Sequence, residues 1–241
     1  MKGVIYGTGL GPGDPDLMSV RADRLVRGSK HIAFFRKLGR KGRARSIVDG
    51  MLRKDVIEFA MEYPVTTEIP LSDPRYNEAL SAFYETCTQH LCALSASGED
   101  VVVLCEGDPF FYGSFMHLFT RLQATCEVQV VPAITGMSAA WTVSGAPITW
   151  GDDILSTVMG TLDEALLTDA MTRADALVVM KIGRNLPKVR RALAAAGKTD
   201  RAVLIEYASM EGQTVCPLSE FCGETLPYFS IIVVHGQGRR P

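Results

Sequence analysis

The sequence predicts an α/β protein made of two α/β domains with mainly parallel sheets. Three observations predict it. Short apolar runs alternate with amphipathic helical patterns from one end of the chain to the other. Two of those runs lead into glycine-bearing corners closed by the same tripeptide, Gly13-Asp14-Pro15 and Gly107-Asp108-Pro109. A hinge-like segment, Pro132-Ala133-Ile134-Thr135-Gly136, divides the 241 residues into halves at 1–132 and 133–241, each of ordinary domain size.

The elements follow in order. Val4-Ile5-Tyr6 reads as a strand, and Gly7-Thr8-Gly9-Leu10-Gly11-Pro12 forms the first corner. Residues 16–27 place Leu17, Met18, Val20, Ala22, Leu25 and Val26 on one helical face, ending near Gly28. Residues 32–35 form a strand and lead into a basic loop. Residues 61–74, with three prolines, read as an extended connection, and 74–97 as a long helix stopped by Gly98. The strand Val101-Val102-Val103-Leu104, the second corner, a helix over 114–123 and a strand over 128–131 complete the first half. In the second half, strands over 154–159, 176–182 and 202–207 alternate with helices over 162–173 and 185–196. Val215 and residues 229–234 add antiparallel strands at the tail.

Glycine admits a sharp turn or a close ligand because it has no side chain to clash. Asp caps a helix, and Pro fits its first turn, where the missing N–H is no loss. Two such corners point to a ligand at the carboxyl edge of a parallel sheet. The same chemistry also serves plain capping in any α/β protein.

Composition narrows the class. The formal charge is −2, no apolar run has the length of a transmembrane helix, and the start lacks a signal-peptide pattern, so a cytoplasmic protein is expected. The six cysteines include no CxxC pair and the four histidines are scattered, so reduced thiols and no structural metal are expected. Arg36, Lys37, Arg40, Lys41, Arg43 and Arg45 crowd one short stretch. That stretch reads either as a solvated loop or as a basic lid over a polyanionic small molecule. Nucleic acid is disfavoured, because no aromatic residues interleave and the whole chain is slightly acidic.

The first corner breaks the phosphate-loop rules. A dinucleotide fingerprint starting at Gly7 needs a small residue where Pro12 stands, and one starting at Gly9 needs it at Asp14. No Gly-Lys-Ser/Thr is present. Asp14 and Asp108 repel a pyrophosphate and suit a ligand bearing positive charge or hydroxyls, a description that S-adenosylmethionine meets without being unique.

The segments Tyr6-Gly7-Thr8-Gly9-Leu10-Gly11-Pro12-Gly13-Asp14-Pro15-Asp16-Leu17 and Glu106-Gly107-Asp108-Pro109-Phe110-Phe111-Tyr112-Gly113 resemble the two signature motifs of the tetrapyrrole (corrin and porphyrin) methylases. Val131-Pro132-Ala133-Ile134-Thr135-Gly136-Met137-Ser138 resembles their interdomain linker, with Ala133 where the family usually has glycine. The residues from Cys105 to Phe115, with Met180-Lys181-Ile182-Gly183-Arg184, are most similar to the members that methylate precorrin-2 at C-20.

The resemblance implies an S-adenosylmethionine-dependent methylase whose cofactor lies in a cleft between the domains, and a homodimer. It carries the cofactor contacts to Pro12, Glu106, Gly107, Asp108, Phe111, Thr135, Gly136 and Met180, and more weakly to Tyr207 and Ala208. A tetrapyrrole rich in carboxylates needs cations, and Arg36, Lys37, Arg40, Lys181 and Arg184 are the candidates, with Tyr112 as an orienting group. Each of them also reads as an ordinary surface or packing residue. Methyl transfer from a sulfonium needs alignment and a dry site more than a catalytic triad, and no residue is assigned as proton acceptor. A sibling methylase acting on another corrin carbon or on a cobalt-bearing substrate remains open, as does a non-catalytic nucleotide-binding domain.

Overall fold

The structure, a computed structural model, describes residues 2–65 and 73–240. The chain divides into two compact units, Met1–Thr135 and Gly136–Pro241. The sequence placed the division between 132 and 133. The backbone N–H of Ala133 donates to the Asp108 carboxylate at 2.9 Å, so the first linker residues group with the first unit.

The first unit contains β1 (Val4–Gly9), α1 (Val20–Gly28), β2 (His31–Lys37), α2 (Arg43–Ile47), β3 (Ile57–Tyr63), α3 (Pro74–Ala96), β4 (Val101–Cys105), α4 (Phe115–Leu122) and β5 (Glu127–Val131). Its sheet runs β3-β2-β4-β1-β5, and every pairing is parallel. A parallel sheet needs both faces covered, and β4 shows how. Val101, Val103 and Cys105 pack in one cluster with α3 and α4, while Val102 and Leu104 pack in another with α1 and α2. The period-two alternation of a strand sends neighbours to opposite layers.

The second unit contains α5 (Gly136–Val143), β6 (Leu155–Met159), α6 (Glu164–Arg173), β7 (Ala176–Met180), α7 (Leu186–Ala195), β8 (Ala202–Glu206), β9 (Thr214–Pro217) and β10 (Ser230–Val234). The sheet order is β6-β7-β10-β8-β9. β6 pairs with β7 in parallel, and β10 and β9 enter antiparallel, as the tail predicts. Leu177 and Val179 face α6 and α7, and Val178 faces the α5 side.

Several boundaries differ from the sequence reading. The helix expected over 16–27 starts at Val20, because the Ser19 hydroxyl accepts from the Ala22 N–H at 3.1 Å. Asp14 instead caps a single 3₁₀ turn, Pro15–Leu17. The connection expected over 61–74 begins inside β3, which pairs residue for residue with β2; its residues 66–72 lie outside the described residues. The basic stretch runs into the short helix α2, and the small residues after the hinge form α5.

Candidate functional site

Topology places the first candidate site. β1 and β4 are neighbours, yet the chain leaves β1 for β2, beyond β4, and leaves β4 for β5, beyond β1. The connections depart in opposite directions and open a crevice at the carboxyl ends of the two strands. Both glycine corners stand there.

The corners are stitched together past the ends of the strands. Leu10 N–H donates to the Cys105 carbonyl at 2.9 Å and Gly107 N–H to the Gly11 carbonyl at 2.8 Å. Gly11 and Gly107 thus form an antiparallel bridge, with φ of 82° and 61°, conformations open to glycine. Gly9 lies beneath them. A Cβ there would fall 2.6 Å from Ala133 Cβ, 2.7 Å from the Gly107 carbonyl oxygen and 2.9 Å from Pro109 Cδ. First corner, second corner and linker therefore converge on one residue. Pro12 is buried in this junction.

Asp108 ties the second corner to the linker. One carboxylate oxygen accepts from Phe110 N–H and the other from Ala133 N–H, both at 2.9 Å. Each oxygen keeps a further lone pair for a ligand. Glu106 opens the same corner. Burial pushes its carboxyl up to about 7, against the opposing effects of the Arg43 charge and a hydrogen bond from the Ala44 N–H. The corner is thereby linked to α2, a connection with no sequence signal beyond the basic run. Phe111 and Tyr112 follow with rings 4.8 Å apart and edge-on, and Tyr112 is exposed with φ of 55°.

The basic stretch is largely neutralised by acidic residues from β3, from the turn after α2 and from the second corner. Arg36 pairs with Glu62, its partner in the β2–β3 register, at 2.6 Å. Arg45 bonds Glu58 and Asp49, Lys41 bonds Asp49, and Arg43 acts on Glu106. Arg36 is thus a cross-strand ion pair first. Lys37 and Arg40 are exposed at the end of β2 and in the following turn.

In the second unit, β7 and β8 both run antiparallel to β10 between them, so their carboxyl ends share one edge. Met180 ends β7, and its carbonyl accepts from Gly160 N–H at 2.7 Å. Lys181 and Arg184 follow, both exposed. Tyr207 N–H donates to the Phe229 carbonyl at 2.8 Å just past β8. Met180 and Ala208 pack on the cluster beneath α5. Gly136, at the start of α5, has among the described residues only Ile231 Cδ1 near a built Cβ, at 3.7 Å, so packing inside the unit does not demand glycine.

Two features here escape sequence reasoning. Every non-glycine residue at positive φ among the described residues, Tyr112, Lys181, Tyr207 and Ser209, lies in the loops after β4, β7 and β8. Such conformations cost on the order of 1 kcal/mol each and concentrate at ligand sites. The Ser209 hydroxyl is also buried with no hydrogen-bond partner among the described residues. Side-chain identity alone carries no trace of either. Among the described residues, no group of three or more His, Cys, Asp or Glu could hold a metal ion, and no helix is long and apolar enough to cross a membrane.

Comparison with known proteins identifies the family. Residues 4–221 match the family model described as Tetrapyrrole (Corrin/Porphyrin) Methylases. The chain is 44% identical over 239 residues to a precorrin-2 C(20)-methyltransferase of Sinorhizobium sp, covering 99% of this chain and 98% of that protein. It is 28% identical to a cobalt-precorrin-2 C(20)-methyltransferase of Salmonella typhimurium, covering 98% of each. The crystal structure of a uroporphyrin-III C-methyl transferase from Thermus thermophilus, complexed with S-adenyl homocysteine, superposes with a TM-score of 0.65 at 21% identity. That likeness covers 96% of this chain and 97% of the other, and it speaks for the fold.

Proposed function

Since this chain belongs to the tetrapyrrole (corrin/porphyrin) methylases, we propose that it methylates precorrin-2 at C-20 with S-adenosylmethionine, yielding precorrin-3A in cobalamin biosynthesis. The observation that carries this reading is the 44% identity, nearly end to end, with the Sinorhizobium enzyme.

The residues present fit the cofactor. Ser209 leaves a buried hydroxyl unsatisfied, Gly136 leaves room that packing does not require, and Asp108 retains acceptor capacity for hydroxyl or ammonium groups. When bound, the cofactor supplies an activated methyl on a sulfonium, which leaves as a neutral thioether. Pro12, Glu106, Gly107, Asp108, Phe111 and Thr135 are the proposed cofactor contacts of the first unit. Gly136, Met180, Tyr207 and Ala208 are those of the second. Their work is to hold the methyl in line and keep water out, the effects that matter most for displacement at carbon. Lys37, Arg40, Lys181 and Arg184 serve the substrate carboxylates, with Tyr112 orienting the macrocycle. Arg36 contributes less, because Glu62 already occupies it. A homodimer and a cytoplasmic location complete the reading.

The test is incubation with precorrin-2 or its cobalt complex and carbon-labelled cofactor, followed by product mass and carbon NMR. One methyl added at C-20 of the metal-free substrate is expected. Label at another carbon, or transfer to the cobalt complex alone, overturns the substrate assignment. The higher identity to the metal-free enzyme favours the first outcome. Calorimetry with S-adenosylhomocysteine separates a methylase from a plain nucleotide-binding domain: binding with no response to adenine dinucleotides is expected, and the reverse rejects it.

A further inference from the structure

The edge of the first sheet opposite the corners carries chemistry that methyl transfer does not use. Cys92, on α3, and Cys126, immediately before β5, bring their sulfurs to 2.7 Å. That is closer than two sulfurs rest without bonding, and about 0.7 Å short of closure to the disulfide length of about 2.0 Å. The Thr125 hydroxyl lies 3.6 Å from each sulfur. Lys2, ahead of β1, places its ammonium against the Thr125 carbonyl at 3.3 Å, and its charge acts on Cys92. Both thiols are only partly buried, so a small reagent can reach them. Ser95, at the end of α3, donates to the Gly3 carbonyl at 2.6 Å and keeps that helix end against the start of β1. The thiol pair is therefore held by rigid elements on both sides.

We propose that Cys92 and Cys126 are a modification site: they close into a reversible intramolecular disulfide when the protein meets a peroxide. One thiolate attacks a peroxide oxygen and the O–O bond breaks, giving a sulfenic acid and, after protonation, water. The second thiol then attacks that sulfur, the S–O bond breaks, and a second water leaves. Two thiols are oxidised and one peroxide is reduced. The Lys2 charge and the Thr125 hydroxyl favour the thiolate. Burial, and then the hydrogen bond with Cys126, push the Cys92 thiol up. Closure therefore accelerates by about ten-fold per pH unit while the thiol remains mostly protonated. The site lies at the amino edge of the sheet, and it stands whether or not the proposed substrate is right.

The experiment uses the full chain carrying Cys222→Ser, which removes an exposed thiol able to link two molecules. The protein is reduced, treated with hydrogen peroxide, denatured and alkylated. Peptide mapping then follows each cysteine. The expected result is a cross-linked peptide pair containing Cys92 and Cys126, lighter by two hydrogens, and restored to two alkylated thiols by reductant. Adding Cys92→Ser or Cys126→Ser abolishes it. Full alkylation of both thiols after peroxide, their separate conversion to sulfinic acids, or pairing of either with another cysteine overturns the proposal. The mapping is read on folded protein that retains both cysteines, so poor folding of a serine variant does not blunt it.

Discussion

Gly9→Ala tests whether the convergence of both corners and the linker on one residue holds the first site together. The new Cβ would meet Ala133 Cβ at 2.6 Å, the Gly107 carbonyl oxygen at 2.7 Å and Pro109 Cδ at 2.9 Å. None of these can rotate away, since they are a methyl on backbone, a backbone carbonyl and a proline ring. Carbon atoms rest about 3.5–4.0 Å apart, so the corner or the linker must retreat by about 1 Å. Overpacking costs about 1–3 kcal/mol, and three rigid neighbours place this case near 3 kcal/mol. At roughly 2–4 °C per kcal/mol for a chain of this size, the melting temperature falls by about 6–12 °C. Both tryptophans, Trp141 and Trp150, belong to the second unit, so their fluorescence does not report the affected region. Far-UV circular dichroism and hydrogen exchange over β1 and β4 do. Gly28→Ala is the control, because among the described residues nothing lies within 4 Å of its built Cβ; at the end of α1 it should leave stability unchanged or raise it by up to about 1 kcal/mol. A Gly9→Ala protein that melts with the wild type and keeps its amide protection shows that Gly9 does not hold the corners and the linker together.

Three further outcomes are expected. Glu106 titrates near 7 in the folded protein against an ordinary 4.5, so its stabilising contribution is full below about 4.5 and is lost as pH rises through 7. Glu106→Gln removes that dependence, and by urea unfolding its stability relative to wild type should rise by on the order of 2–3 kcal/mol from pH 4.5 to pH 8; a pH-independent difference contradicts the buried carboxyl. Asp108→Asn keeps only one of the two oxygens that accept from Phe110 and Ala133. It should lose about 1–3 kcal/mol in denaturant melts and bind S-adenosylhomocysteine more weakly by calorimetry, and wild-type values in both would contradict the tie. Lys181→Ala and Arg184→Ala should raise the substrate KM while leaving S-adenosylhomocysteine affinity intact; an unchanged KM in both removes these residues from the substrate site.

Much of the fold was legible because burial and turning leave marks in composition. Val101 to Leu104 read as a strand because a central parallel strand is apolar on both faces. β3 gives no such signal, because an edge strand carrying Glu58 and Glu62 among its apolar residues lacks that continuous run. α2 and α5 give none either, because five residues at the end of a basic loop and a run of small residues show no helical stripe. The two corners and the linker are recognisable as motifs, since glycine, aspartate and proline recur in them at close spacing.

The sequence by itself determined the alternating architecture, the two corners and the family, for these depend on residue type at local spacing. Tertiary structure alone decided that β1 and β4 lie side by side, that Asp108 ties corner to linker, and that Arg36 is spent on Glu62. It alone brought Glu106 against α2 and Cys92 against Cys126. The physical reason is range. Propensity and capping act within a few residues, whereas strand order, charge neutralisation and burial arise from groups that only packing makes neighbours.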